Sequence, residues 1–147
     1  MKTAIDSFWE ACCKENDLTN ESYTDAFPFG ASADWLAQLV AEGKKTATTS
    51  GYVFYELEDE PLPEKGQYYI VLNSRDEPVA VIQIENVEVR PMNEVTEEFA
   101  LREGEGDYKD WREAHETFFT EELAKYQLTF TPDMPVVCET FKVVCRA

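Results

Sequence analysis

The apolar positions of this chain change period along its length. Residues 6–16, D-S-F-W-E-A-C-C-K-E-N, place Phe8, Trp9, Cys12 and Cys13 at helical spacing behind an Asp/Ser start, which predicts an amphipathic helix. Residues 20–31 have no clear period, and Pro28 and Gly30 punctuate them as a loop. Ser32 then stands as an N-cap. Trp35, Leu36, Leu39 and Val40 form one apolar helical face, and Gly43 is a natural residue just past its end. From Thr46 to Phe54, threonines and aromatics turn the propensity to β. The acidic stretch 56–66, with Pro61, Pro63 and Gly66, predicts a loop. Tyr68 to Leu72 follows as a strand and Asn73 to Pro78 as a turn. Val79 to Val89 alternates well enough for a long strand with a bulge near Glu85–Asn86.

Thr96 to Arg102 predicts a short helix, broken by Gly104 and Gly106. Asp107 can cap the next helix, whose face carries Tyr108, Trp111, His115, Phe118 and Phe119. After a loop with Pro132 and Pro135, the last strand runs from Val136 to Cys145, with Phe141, Val143 and Cys145 placed on one face. Helices first, then strands, a helical insertion and a final strand predict an α+β fold. Its sheet is expected to be mainly antiparallel and curled into a small β-barrel flanked by helices. No internal repeat, interdomain linker or glycine-rich phosphate loop interrupts the chain. Residues 1–147 are therefore read as a single domain with an N-terminal helical extension over residues 1–26.

Composition narrows the function. A chain of 147 residues, 44% hydrophobic and 13% aromatic, can bury a core without staples. Its 30 acidic and 13 basic residues give a formal charge of −17, so a phosphate-neutralising surface could only be local. No run approaches the roughly 18 apolar residues of a spanning helix. Met-Lys-Thr-Ala-Ile-Asp leads into no apolar signal region. A cytoplasmic protein without a membrane partner is expected. Cys12, Cys13, Cys138 and Cys145 lack zinc-ligand spacing and are read as reduced, buried thiols. With His115 alone, multi-histidine metal sites are excluded, and neither a metal nor a cofactor is expected.

What remains for chemistry is lysine, threonine and glutamate. The stretch G-K-K-T-A-T-T-S, residues 43–50, sets Lys44 and Lys45 side by side in an acidic chain. One lysine is explained by the C-terminal end of the preceding helix dipole. Lys45 and Thr48 are three apart, so a regular strand would send them to opposite faces. An irregular helix-to-strand junction is needed to bring them together. A threonine hydroxyl needs a base or a charge to act as nucleophile. The stretch R-E-G-E-G-D, residues 102–107, offers Glu103 between a helix end and a flexible turn. His115 lies one turn from Trp111 and Tyr108, whose rings could wall a pocket.

Four segments together resemble the ASCH domain, a family with a PUA-like fold. They are W-L-A-Q-L-V-A-E-G-K-K-T-A-T at 35–48, Y-E-L-E-D-E-P-L-P-E-K-G-Q-Y at 55–68, E-V-T-E-E-F-A-L-R-E-G-E-G-D-Y-K-D-W-R-E-A-H-E-T-F-F at 94–119 and M-P-V-V-C-E-T-F at 134–141. The likeness spans residues 27–145 and is similar to a largely uncharacterised bacterial branch. It implies a small β-barrel with a cleft beside it, and a nucleoside-like small molecule or a short RNA as partner. One small bacterial relative hydrolyses acetylated cytidine with a Lys-Thr-Glu set, and another is a reported ribonuclease. By motif position the set falls on Lys45, Thr48 and Glu103, with Lys44, Thr49, Ser50, Asp107, Tyr108, Trp111 and His115 around the ligand. Ser50 stands where the short motif commonly has arginine, a group suited to phosphate or a polar base edge. The resemblance implies an amidohydrolase for acylated nucleosides. An RNA-binding module, a ribonuclease and a non-catalytic ligand sensor stand as alternatives. The oligomeric state stays open, a homodimer included.

Overall fold

The computed structural model describes residues 3–30 and 32–147. Ala31, in the stretch expected to be a loop, and the first two residues of the expected extension lie outside them. Helix α1 covers Ala4–Glu15 and opens earlier than the Asp/Ser start suggested, because the Thr3 hydroxyl accepts the Asp6 N–H at 3.1 Å. Strand β1 (Tyr23–Pro28), helix α2 (Ala33–Ala41), strand β2 (Ala47–Gly51) and helix α3 (Tyr52–Leu57) follow. Strands β3 (Tyr68–Leu72) and β4 (Pro78–Pro91), helices α4 (Glu97–Leu101) and α5 (Tyr108–Ala124), and strand β5 (Pro135–Arg146) complete the order.

The five strands form one sheet in the order β1-β3-β4-β5-β2. Three pairings are antiparallel, while β1 and β3 run parallel. The expected barrel is therefore corrected to an open, mixed sheet with β1 and β2 at its edges. A parallel pair requires a long crossover, and here residues 29–67 supply it, carrying α2, β2 and α3. At the other edge, β2 stops after five residues. The chain turns at Gly51, where a Cβ would lie 2.7 Å from the Phe54 ring. Phe54 folds back over that glycine and packs with Val53 into the core beneath α5. Tertiary packing thus makes a helix of residues whose propensity reads β. Strand β1 stands where the lack of period, with Pro28 and Gly30, predicts a loop; its side chains do not alternate in burial, and its order comes from main-chain pairing with β3.

Two bulges distribute side chains between the faces. The expected irregularity near Glu85–Asn86 is present, since register shifts between Ile84 and Asn86. A second shift sets Val81 opposite Cys145 but Ile82 opposite Val143, leaving Val144 unpaired. Phe141 and Val143 consequently join the cluster under α2, with Leu36, Val40, Val71 and Ile82. Cys145 turns to the opposite face, beside Trp9, Ile70 and Val81, and so departs from the expected face. There it forms a disulfide with Cys12 of α1. The expectation of four reduced thiols fails for this pair, because a bulge no periodicity reveals brings the two sulfurs together. Cys13 and Cys138 are free. Among the described residues no helix is long and apolar enough to cross a membrane.

The disulfide closes a loop of 133 residues, so it restricts the unfolded chain strongly. Reduction, or Cys12→Ala, should therefore cost about 2–4 kcal/mol of stability. Urea denaturation with and without reductant measures this, and equal midpoints would show that α1 is not covalently held.

Candidate functional site

The helix-to-strand junction aims Lys45 inward. After α2, Gly43 adopts φ +76°, and the N–H groups of Lys44 and Lys45 both return to the Leu39 carbonyl, at 2.9 and 3.1 Å. This turn ends the helix and leaves Lys44 outside, where its ammonium meets Glu42 at 3.5 Å. Lys45 points the other way and is only 1% exposed. A second turn meets it. The Thr46 N–H donates to the Arg102 carbonyl at 2.8 Å. Gly104 at φ +73° passes so close that a Cβ would lie 2.6 Å from the Lys44 carbonyl oxygen. Only glycine fits there without displacing backbone.

Glu103, also 1% exposed, is the centre of the cluster. Its Oε1 accepts from Lys45 Nζ at 3.0 Å. Its Oε2 accepts from the Thr49 hydroxyl at 2.8 Å and from Trp111 Nε1, with His115 Nε2 at 3.5 Å. Burial alone would favour the neutral acid. The His115 hydrogen bond, the Lys45 charge and the Trp111 N–H outweigh it and hold the carboxyl down at about 2. Lys45 Nζ also donates to Glu105 Oε2 at 3.0 Å and lies 5.2 Å from the Phe29 ring centre. Burial pushes the Glu105 carboxyl upward and Glu103's charge adds to it, against the pull of Lys45.

Helix α5 holds the far wall. Asp107 and Asp110 form a reciprocal capping box at its start. His115 Nδ1–H donates to the Trp111 carbonyl at 2.8 Å, which turns Nε2 toward Glu103. Burial opposes the imidazolium, but the hydrogen bond and charge of Glu103 prevail and raise the His115 pKa.

Lys45, Thr48, Thr49, Glu103, Glu105 and His115 line one cavity of about 130 Å³, closed on its apolar side by Phe29, Leu36 and Phe118. The expected residues thus sort by position. Lys45 and Glu103 touch. Thr48 lines the same cavity but bonds to neither, and its neighbour Thr49 is the one that reaches Glu103. The alternation of β2 explains the exchange, since successive threonines face opposite sides of the sheet. Trp111 is buried and spends its N–H on Glu103, while Tyr108 donates to the Val95 carbonyl at 2.7 Å. The Ser50 hydroxyl pairs with that of Tyr55 at 2.9 Å. Lys44 and Asp107 are exposed, occupied by Glu42 and by the helix cap. Among the described residues no group of three His, Cys, Asp or Glu side chains is arranged to hold a metal ion.

Two acids escaped the sequence reading. Glu105 follows Glu103 by two residues across the Gly104 turn, a spacing that a reader of R-E-G-E-G-D could have tested. Glu139 lies buried on β5 between Val137 and Phe141. An acid between two apolar positions of the same strand face was its signal.

The ASCH domain family model matches residues 25–145 of the chain. The crystal structure of protein EF3133 from Enterococcus faecalis, described by the family model DUF984, superimposes with a TM-score of 0.87 at 41% identity, over 98% of this chain and 94% of that one. An ASCH domain from Lactobacillus crispatus gives 0.90 at 31% identity, over 98% and 96%. The ASCH protein of Zymomonas mobilis, at 0.52 and 11% identity over 80% and 66%, shares the fold alone. Among curated proteins nothing matches the chain.

Two outcomes follow from this geometry. The lone imidazole signal should titrate above the ordinary 6.5, and Glu103→Gln should lower its midpoint, because the charge that favours imidazolium is gone. Proton NMR of the parent and variant checks this; an unchanged midpoint would separate the two side chains. Gly104→Ala should destabilise by more than about 1 kcal/mol, read from denaturation midpoints, since both φ and the Lys44 carbonyl oppose a Cβ.

Proposed function

The chain belongs to the ASCH domain family, and from that premise we propose that its cavity binds the acylamide end of a nucleoside-like molecule and hydrolyses it. The observation that carries this reading is the arrangement of Lys45. Two of its three N–H groups go to Glu103 and Glu105, which leaves one for an occupant of the cavity that Thr48 also lines. In this reading Lys45 is the cationic donor to the acyl oxygen, worth most in a buried site where little water competes. Thr48 attacks the carbonyl or positions water. Both Glu103 oxygens accept hydrogen bonds, which suits it to hold Lys45 and His115 in place rather than to accept protons in turnover.

Size supports a partial substrate. Pockets for whole drug-sized ligands run to roughly 300–1,000 Å³. A cavity of about 130 Å³ takes an acyl group with its amide and leaves the sugar at the mouth. Such a substrate is neutral, so the −17 charge does not oppose it. The same charge, and the pairing of exposed Lys44 with Glu42, disfavour an RNA track. The saturation of Glu103 favours one second reading, a ligand-sensing domain without turnover.

A panel of N-acylated nucleosides and short RNAs, with parent and Thr48→Val protein, decides among these. Hydrolysis of at least one nucleoside is expected, insensitive to salt, with Thr48→Val slower by about 10²-fold or more. Binding without turnover in any case would favour the sensor. Affinity for RNA falling steeply with salt would favour the nucleic-acid reading.

A further inference from the structure

Thr48 and Glu139 stand directly opposite each other in the β2–β5 ladder. Cross-strand partners leave the same face of a sheet with Cβ atoms about 4.5–5.5 Å apart. Glu139 is 8% exposed and makes no hydrogen bond or ion pair among the described residues. The Thr48 hydroxyl makes none there either. A buried carboxyl without a partner is costly and uncommon. Yet no fully enclosed side-chain nitrogen or oxygen among the described residues lacks a partner, so the Glu139 oxygens keep a narrow opening.

The other acids near Lys45 are engaged. Glu103 accepts hydrogen bonds on both oxygens, and Glu105 is bonded to the lysine. We propose that Glu139 is the general base that accepts the Thr48 hydroxyl proton, so that Thr48 and Glu139, rather than Thr48 and Glu103, form the nucleophile and its base. This rests on the hydrolase reading above.

The surroundings of Glu139 suit that task. Burial, with Glu103's negative charge added and Lys45 countering, lifts its carboxyl to about 7. A base is most effective when its pKa lies near the working pH. The groups whose fields meet it are Lys45, Glu103, Cys138, Tyr55 from α3 and Tyr69 from β3. Neither tyrosine is spent on it, since Tyr55 bonds Ser50 and Tyr69 bonds Gln67.

The step balances. The Thr48 oxygen bonds to the acyl carbon while its proton passes to the Glu139 carboxylate, and the carbonyl π pair moves to the oxygen facing Lys45. On collapse the C–N bond breaks, and the Glu139 proton goes to the leaving nitrogen. Water then adds to the acyl-Thr48 ester, giving one proton to Glu139. Thr48 leaves by regaining that proton, and the acid is released.

Two measurements test the pair. The first needs no turnover. Carboxyl carbon NMR of Glu139 should show a midpoint near 7 in the parent, and Thr48→Val should raise it, because an apolar side chain across the ladder solvates the charged form less well than a hydroxyl does. An unmoved midpoint overturns the proposal, whether or not a substrate exists. The second uses any nucleoside amide the parent hydrolyses. Its kcat should rise with pH through about 7. Glu139→Gln should abolish that limb and lower kcat about 10²–10⁴-fold with KM little changed. Adding Thr48→Val should then cost little more. A Glu139→Gln enzyme with the parent's rate and limb overturns the proposal while leaving the hydrolase reading intact. Absence of turnover in the parent overturns that reading and the base role with it.

Discussion

A carboxylate sealed from water organises this molecule. Glu103 gives up its hydration and receives in return an ammonium, a hydroxyl, an indole N–H and an imidazole. A buried charge with one partner removed costs about 3–5 kcal/mol, so each of these contacts constrains the element that supplies it. The junction after α2 brings Lys45, β2 brings Thr49 and α5 brings Trp111 and His115. The short helix α4 ends where Glu103 must stand. Two stretches far apart in sequence, 45–49 and 103–115, are thereby tied to one point, and that point is the polar wall of the cavity.

Holding an ion pair so firmly also limits what it can do. Glu103 carries its charge down to about 2, and both its oxygens already accept hydrogen bonds, which suits it poorly to take a proton from a substrate. Glu139, on the opposite side of the same sheet region, has the reverse character: buried, without a hydrogen bond or ion pair among the described residues, and lifted to about 7. The alternation of β2 separates them, sending Thr49 toward one acid and Thr48 toward the other. A structural carboxylate and a titrating one sit near a single lysine because adjacent strand residues face opposite ways.

The relatives place the N-terminal helix within the shared architecture. The Enterococcus faecalis and Lactobacillus crispatus structures align over 98% of the chain, well beyond the match of the family model to residues 25–145. Helix α1 packs Trp9 and Cys12 onto Tyr68, Ile70 and Leu72, so it covers the sheet face away from α2. An open sheet has two faces to bury, and α1 supplies the second layer on that side.

Much of this was legible from local pattern. The α2 face and its Gly43 stop, the long bulged β4, the Asp107 cap and the α5 face all follow from periodicity and capping within a few residues. The family was legible from four segments, which also pointed to Lys45 and Glu103, two side chains that meet in the structure. The parallel pairing of β1, the helix at Tyr52–Leu57 and the Cys12–Cys145 link were not, because each depends on residues tens of positions away. The register shift at Val144 decides which face Cys145 meets, and no composition or period records it. Chain pattern alone determined which residue types could carry chemistry. Only tertiary structure decided which threonine bonds Glu103 and which acid is left unpartnered, because pairing across strands sets contact and burial sets charge.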